Sequence, residues 1–279
     1  MSEQVSGDNE AQIEFWNGEA GATWVEDQER LDATLHPLSA EALRQAAAQP
    51  GERVLDVGCG CGTTSLALQA SGAAVWGVDV SEPMLAQAQK RAHGLDNISF
   101  SLGDAATQTY SADHQLVFSR FGVMFFADPV AAFRQLRTAL SEDGRLFFMC
   151  WQAPARNPWI SVVGRAVQPF LDPDAPTPDP RAPGPFAFAD EDYLLDILQQ
   201  AGYRNIQINS FTSDVPIAPT LDEAVESQSR VGPLARVLAE LDPATRDKAM
   251  AAAREALAAH VTPQGISLEA AVWMVSARR

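Results

Sequence analysis

The 279-residue chain carries 20 basic and 36 acidic side chains, a formal net charge of −16 at pH 7, with no cluster of Lys and Arg. Phosphate backbones are held by such clusters, so nucleic acid is not an expected partner. The hydrophobic fraction of 46% is ordinary for a globular protein, and no apolar run reaches the roughly 18 residues that a membrane-crossing helix needs.

The polar, acidic opening MSEQVSGDNEAQ lacks the pattern of a secretory signal, so the expected location is the cytoplasm and the three cysteines are expected as reduced thiols. The segment EFWNGEAGATWVEDQERLDATLHPL precedes the first strand signal and reads as a helical flap over residues 1–45, carrying Trp16 and Trp24. From residue 46 to 152 short β-branched runs alternate with helical stretches. VLDVG is a buried-strand candidate, TSLALQASG a helix ended by Gly72, and AVWGVDV a second strand. Ser81 then stands as an N-cap, with Pro83 in the first turn of EPMLAQAQKRAHG. NISFSLGD, HQLVFSRF and GRLFFMCW read as further strands, with DPVAAFRQLRTALSEDG as a helix before the last of them. This alternation implies parallel βαβ units and a doubly wound α/β sheet, which binds ligands at the carboxyl ends of its strands.

Residues 153–190 break the rhythm: PDAPTPDPRAPGPFAFAD is too rich in proline for a regular element, so the expectation is a loop or lid. Over residues 191–217, EDYLLDILQQAGY reads as a core helix and NIQINSFTSDVPI as a strand. A second, helical lid spans 218–266, and LEAAVWMVSARR within 267–279 reads as the last strand.

VLDVGCGCGTT carries the chemistry. Cys59 and Cys61 have no second cysteine pair and no nearby histidine cluster, so a closed metal site lacks its ligands and none is expected. As a nucleotide loop, Gly58-x-Gly60 is followed by Thr63 where a dinucleotide fingerprint wants a third small residue, and the third glycine comes early, at Gly62. Asp56 precedes the loop by two residues, where a carboxylate opposes a pyrophosphate but suits an ammonium or a sulfonium. Asp79, followed by Val80, ends the second strand about 20 residues after the first glycine, placed for ribose hydroxyls. Asp104 ends the third, placed for an adenine amine with Ala105 beside it, and Met84 and Leu85 could pack on a base. Each of these residues alone could equally be a helix cap or a core contact; the three strand-end carboxylates in register favour the site.

DVGCGCG, GVDVSEPML, GDA, FSRFGVMFFADP and LSEDGRLFFMCW together resemble the class I methyltransferases that use S-adenosylmethionine, especially the bacterial small-molecule branch with the ubiquinone and menaquinone methyltransferases. The resemblance covers roughly residues 50–150. It implies a Rossmann-like, seven-stranded, mostly parallel sheet whose last strand runs antiparallel. It implies S-adenosyl-L-methionine as cofactor, with Asp56, Gly58 and Gly60 lining the methionine part, Asp79 the ribose, and Asp104 with Ala105 the adenine. The expected activity is methyl transfer to O, N or C of a small, partly apolar metabolite by in-line displacement. The competing readings are a nicotinamide-dependent oxidoreductase and a non-catalytic cofactor-binding regulatory or assembly protein of the same fold.

Ser119 and Arg120 follow the fourth strand, where this fold puts the methyl-donating centre, and are expected to bind the cofactor, with Arg120 pairing an acceptor carboxylate or a protein acid; on the acceptor side FGVMFF adds an apolar wall. Trp16 and Trp24 present an aromatic face to sulfonium or adenine, or else anchor the flap on the core. His36 is the sole candidate base, being the one histidine near the expected mouth of the site. Trp151, Trp159, Phe170, Phe186 and Phe188 suit an apolar acceptor of metabolite size. The stripes of GPLARVLAEL and AMAAAREALAAHV allow a homodimer.

Overall fold

The computed structural model describes residues 3–171, 179–230 and 233–279. The first half of the sheet is built from β1 (Arg53–Val57), β2 (Ala74–Asp79), β3 (Ile98–Leu102), β4 (His114–Arg120) and β5 (Leu140–Trp151). The second half comprises β6 (Arg204–Ala218), β7 (Val261–Thr262) and β8 (Gly265–Arg278). Strand order is β3-β2-β1-β4-β5-β8-β6, with β7 paired to β8. The pairs β1–β2, β1–β4, β2–β3 and β4–β5 are parallel, and β8 runs antiparallel between β5 and β6.

Central strands of a parallel sheet are covered on both faces and therefore read as continuous apolar runs. β1 shows this, with one exposed residue followed by four buried ones, and so does β4 from Leu116 to Ser119. The eighth strand is the addition to the expected seven: Val261 and Thr262 fold back on Ile266 and Gly265, with Gly265 at φ 103 where its turn needs a left-handed residue.

Eleven helices are described: α1 (Glu3–Asn17), α2 (Glu19–Glu26), α3 (Gln28–Ala46), α4 (Thr63–Ala70), α5 (Glu82–Arg91), α6 (Pro129–Ala139), α7 (Pro158–Val167), α8 (Glu191–Gln200), α9 (Leu221–Arg230), α10 (Pro233–Glu240) and α11 (Pro243–Ala258). Their starts follow local chemistry. Ser81 caps α5 by accepting from Met84 N, Asp128 caps α6 through Ala131 N, and Asp190 and Asp242 cap α8 and α11. α3 buries Leu31, Leu35, Leu38, Ala42 and Ala46, a stripe spaced three and four residues apart whose members from Leu35 onward belong to the main core.

The Pro-rich stretch departs from expectation. Residues 158–167 form α7 rather than loop, because Pro158 stands in the first turn, where its missing N–H costs nothing, and WISVVGRAV buries Val163 and Val167 on one side. Most of PDAPTPDP, residues 172–178, lies outside the described residues. The order of strands reverses between β1 and β4, so the crevice of this sheet opens at the carboxyl ends of those two strands.

Candidate active site

The glycine loop leaves β1 and enters α4 in three left-handed steps, with φ of 66° at Gly58, 53° at Gly60 and 77° at Gly62. Two of these positions are also closed to a side chain. A Cβ on Gly58 would lie 2.6 Å from Gly122 Cα, and one on Gly60 would lie 2.8 Å from Met84 Cε. The loop after β1 is thus pressed against the loop after β4 on one side and against α5 on the other.

Asp56 is fully buried in the middle of this arrangement. Its Oδ2 accepts from Ser65 Oγ at 2.6 Å and Thr64 Oγ1 at 2.9 Å, both in the first turn of α4, while Oδ1 has no hydrogen-bond partner. Burial pushes its carboxyl up to about 6, against the pull of the two hydroxyls. Asp79, at the end of β2, accepts from Gly60 N at 2.7 Å and Ser81 N at 2.9 Å. Burial raises its carboxyl above the usual range, and these backbone N–H groups oppose the rise. Asp104 accepts from Ala106 N at 2.9 Å and, through Oδ2, from Asn9 Nδ2. Among the described residues neither Asp79 nor Asp104 forms an ion pair with a cation.

The sequence-predicted residues fall into two groups. Asp56, Gly58, Gly60, Asp79, Val80, Met84, Asp104 and Ala105 come together along the carboxyl edge of β1, β2 and β3. Met84 and Ala105 are buried there, with Tyr110 Oη donating to Ala105 O at 2.9 Å. Ser119 and Arg120 stand beside them at the end of β4. Ser119 Oγ donates to Val57 O at 2.8 Å and accepts from Gly122 N at 3.2 Å, so its proton serves to tie the β4 loop to β1.

The flap helices sit over this edge. Trp16 meets Trp24 at 6.0 Å and Phe125 at 5.2 Å between ring centroids, both edge to face, and Ser81 Oγ donates to Trp16 O at 2.7 Å. His36 does not join them. It is exposed on α3 and forms no hydrogen bond with a site residue among those described, because the buried face of that helix is set by Leu35, Leu38 and Ser39.

Several polar residues in the site were missed from the sequence. Asn17 Nδ2 donates to Val80 O at 2.8 Å and its Oδ1 accepts from Glu82 N at 2.9 Å, so a flap side chain caps α5. Asp32 lies against Thr63 Oγ1 at 2.7 Å, accepts from Gln28 Nε2, and stands 3.4 Å from Arg91 Nη2 and 3.9 Å from Arg120 Nη2. Arg91 in turn donates to Cys61 O at 2.7 Å. The Asn-Gly at residues 17–18 was a turn signal that could have drawn attention to Asn17; Asp32 stands in its helix with Glu29 and Glu41 and carried none.

The thiols are inert by environment. Cys59, Cys61 and Cys150 are buried and free, and burial pushes the Cys61 thiol up to about 12. A surface hollow near Glu142, Asp143, Arg204 and Arg278 lies at the opposite edge of the sheet, by the start of β5 and the end of β8.

Taken together, the sheet order, the glycine loop and the three strand-end carboxylates make an α/β domain with an acidic cradle at the carboxyl ends of its strands, the edge at which such sheets bind ligands. Residues 54–144 match the methyltransferase domain family. Demethylmenaquinone methyltransferase of Clavibacter sepedonicus is 27% identical over 180 residues, 62% of this chain and 74% of that protein. Aklanonic acid methyltransferase of Streptomyces sp. (strain C5) is 35% identical over 131 residues, 44% of this chain and only 54% of that protein. In fold, the chain is similar to the YcgJ protein from Bacillus subtilis, with a TM-score of 0.57, 18% identity, and coverage of 88% and 98% of the two chains. Residues 54–144 are thus a methyltransferase domain, and the likeness to methyltransferases in sequence and fold supports an enzyme that uses S-adenosylmethionine.

Proposed function

We propose that this enzyme transfers the methyl group of S-adenosylmethionine to O, N or C of a small, partly apolar metabolite. The observation that carries the reading is the set of carboxylates Asp56, Asp79 and Asp104 at successive strand ends, two of them without any cation partner among the described residues and the third with a free buried oxygen. A buried acceptor with no donor calls for one from a ligand. These groups fit a nucleoside with hydroxyls, an amine and a cationic centre, and they disfavour the pyrophosphate of a nicotinamide dinucleotide.

In this reading Asp79 takes the ribose, Asp104 and Ala105 the adenine with Met84 and Val80 along the base, and Asp56 with Gly58 and Gly60 the methionine end. Bound there, S-adenosylmethionine supplies an electrophilic methyl on a sulfonium that passes in line to the acceptor. The protein's part is alignment and exclusion of water. Asp56 and Asp79 put negative charge in a buried crevice, which favours the cationic donor over the neutral product. The half-buried tryptophans of the flap and Phe125 lie over the carboxyl edge in this reading. In this reading the roof comes from the described parts of the flap (residues 3–45) and of the two insertions (153–171 and 179–190; 218–230 and 233–266), with Trp159 and Phe186 on the apolar side of the acceptor space. No base is assigned: an amine neutral at the moment of attack needs none.

Calorimetry on the full chain tests this. S-adenosylhomocysteine is expected to bind, NAD(H) is not, and Asp79→Ala should weaken S-adenosylhomocysteine at least tenfold, the worth of one hydrogen-bonded charged partner. Unchanged binding in that variant, or none in the parent, would sink the proposal.

A further inference from the structure

The guanidinium of Arg120 has no explanation in the functions assigned so far. Its side chain is only 11% exposed, yet of its five N–H groups one makes a hydrogen bond among the described residues, Nη1 to Ser39 Oγ at 3.2 Å. The carboxylate nearest to satisfying it, Asp32, stands 3.9 Å from Nη2, outside hydrogen-bond reach. Asp32 is also already engaged by Thr63, Gln28 and Arg91. A buried charge is ordinarily paired and its donors filled, because an unfilled one costs its full desolvation. This fork is paired only loosely, with Asp32 at 3.9 Å, and most of its donors make no hydrogen bond among the described residues.

Its surroundings say what would fill it. Asp56, Cys61 and Arg91 complete the circle of titratable groups around it, which puts the guanidinium beside the glycine loop rather than at the back of the sheet. The residue after it, Phe121, is held at φ 64°, a left-handed conformation that a bulky side chain rarely takes. That backbone lays the Phe121 ring flat on Trp151, at 4.1 Å and 10°, and Trp151 lies 4.9 Å from Trp159 of α7. The donor fork is thus followed directly in the chain by a residue whose ring opens the aromatic stack of Phe121, Trp151 and Trp159.

We propose that Arg120 is the carboxylate anchor of this site, its fork gripping the carboxylate of a bound ligand in two-point fashion. This rests on the methyl-donor reading above. Two ligands of that reaction can bring such a group: the α-carboxylate of the donor, or a carboxylate on the acceptor, for which the aromatic wall favours an aromatic acid. The bidentate pairing is the geometry for which arginine is suited and lysine is not.

The test compares ligands within one protein, so that general damage to the site cancels. The full chain, Arg120→Met and Arg120→Lys are titrated calorimetrically with S-adenosylhomocysteine and with its decarboxylated analogue. In a second arm benzoate is titrated with and without S-adenosylhomocysteine, reading the melting temperature. If the donor's carboxylate is the ligand, the parent prefers S-adenosylhomocysteine by about tenfold to a hundredfold, and the preference falls to near one in Arg120→Met and partway in Arg120→Lys. If the acceptor's is, that preference is unchanged, while benzoate stabilises the parent and not Arg120→Met. Should Arg120→Met not fold, Arg120→Lys carries both arms. If neither the preference nor the benzoate response depends on Arg120, the proposal is overturned and the residue is a structural neighbour of Asp32 and Ser39. A parent that binds neither adenosyl compound defeats the donor reading instead, and the benzoate arm still decides the anchor.

Discussion

Replacing Asp56 by Asn should make the protein more stable and the site weaker at the same time. The carboxyl is fully buried and its value lies at about 6, against an ordinary 3.8. Two units of difference are worth about 3 kcal/mol at about 1.4 kcal/mol each. The sign follows from the raised value: the folded protein holds this proton more tightly than the unfolded chain. The stabilisation is complete below about pH 4, declines as pH rises through 6, and is gone at pH 8. Asn keeps the shape and the neutral state at every pH, its oxygen facing Ser65 and Thr64 and its amide where Oδ1 now lacks a partner. Asp56→Asn should therefore match the parent at pH 4 and exceed it by up to about 3 kcal/mol at pH 8. For 279 residues that is roughly 5 °C in melting temperature. Urea melts at pH 4.5, 6 and 8 read the difference, and S-adenosylhomocysteine titrations read the loss of affinity. A variant less stable than the parent at pH 8 would refute the reasoning, showing that the hydroxyls and Arg120 outweigh desolvation.

Gly122→Ala would put a Cβ 2.6 Å from Val57 O and 2.8 Å from Gly58 Cα, so it should destabilise by about 1–3 kcal/mol and weaken S-adenosylhomocysteine through the displaced glycine loop, read by urea melts and calorimetry. Arg145 donates to Glu52 at 2.8 Å through both terminal nitrogens and to the carbonyls of Ala46 and Ala47 at the end of α3. Arg145→Ala should cost about 2 kcal/mol of stability and leave ligand affinity unchanged, since those bonds lie at the amino edge of the sheet. Native protein at pH 8 should not react with a thiol-specific dye until denaturant is added, when three thiols per chain appear. The double change Cys59→Ala, Cys61→Ala should shift S-adenosylhomocysteine affinity by less than about tenfold.

What the sequence made legible was whatever local chemistry decides. The strands declare themselves as buried runs, and Ser81 with Pro83 marks the start of α5 as the structure has it. The three strand-end carboxylates could be found because strand ends in a parallel sheet fall on one edge whatever the loops do. α7 was lost because the prolines around it outweighed one amphipathic turn pattern, although Pro158 at its start is itself a helix signal. Asn9, Asn17, Asp32 and Ser39 were not legible for a different reason. Each reaches the site across a tertiary contact, Asn9 to Asp104 over 95 residues and Ser39 to Arg120 over 81, and no spacing along the chain encodes such a meeting.

Asp56 shows why a strand-end carboxylate is informative even where its neighbours also explain it. Oδ2 has a structural task, since Thr64 and Ser65 fix it to the first turn of α4 and thereby set the angle at which the glycine loop enters that helix. An asparagine or a threonine could perform that task without a charge. The ion is instead kept in a place where burial raises its carboxyl to about 6, with Oδ1 unfilled, so at neutral pH the fold bears a cost of about 3 kcal/mol that remains after the hydroxyls and Arg120 have offset part of it. A cationic ligand does offset it, because the attraction of a sulfonium or ammonium for that charge is strongest where water is excluded. On the proposed function the same loop holds a charged donor and releases its neutral product, and Asp56, the carboxylate that destabilises the empty fold, is the residue that would distinguish the two.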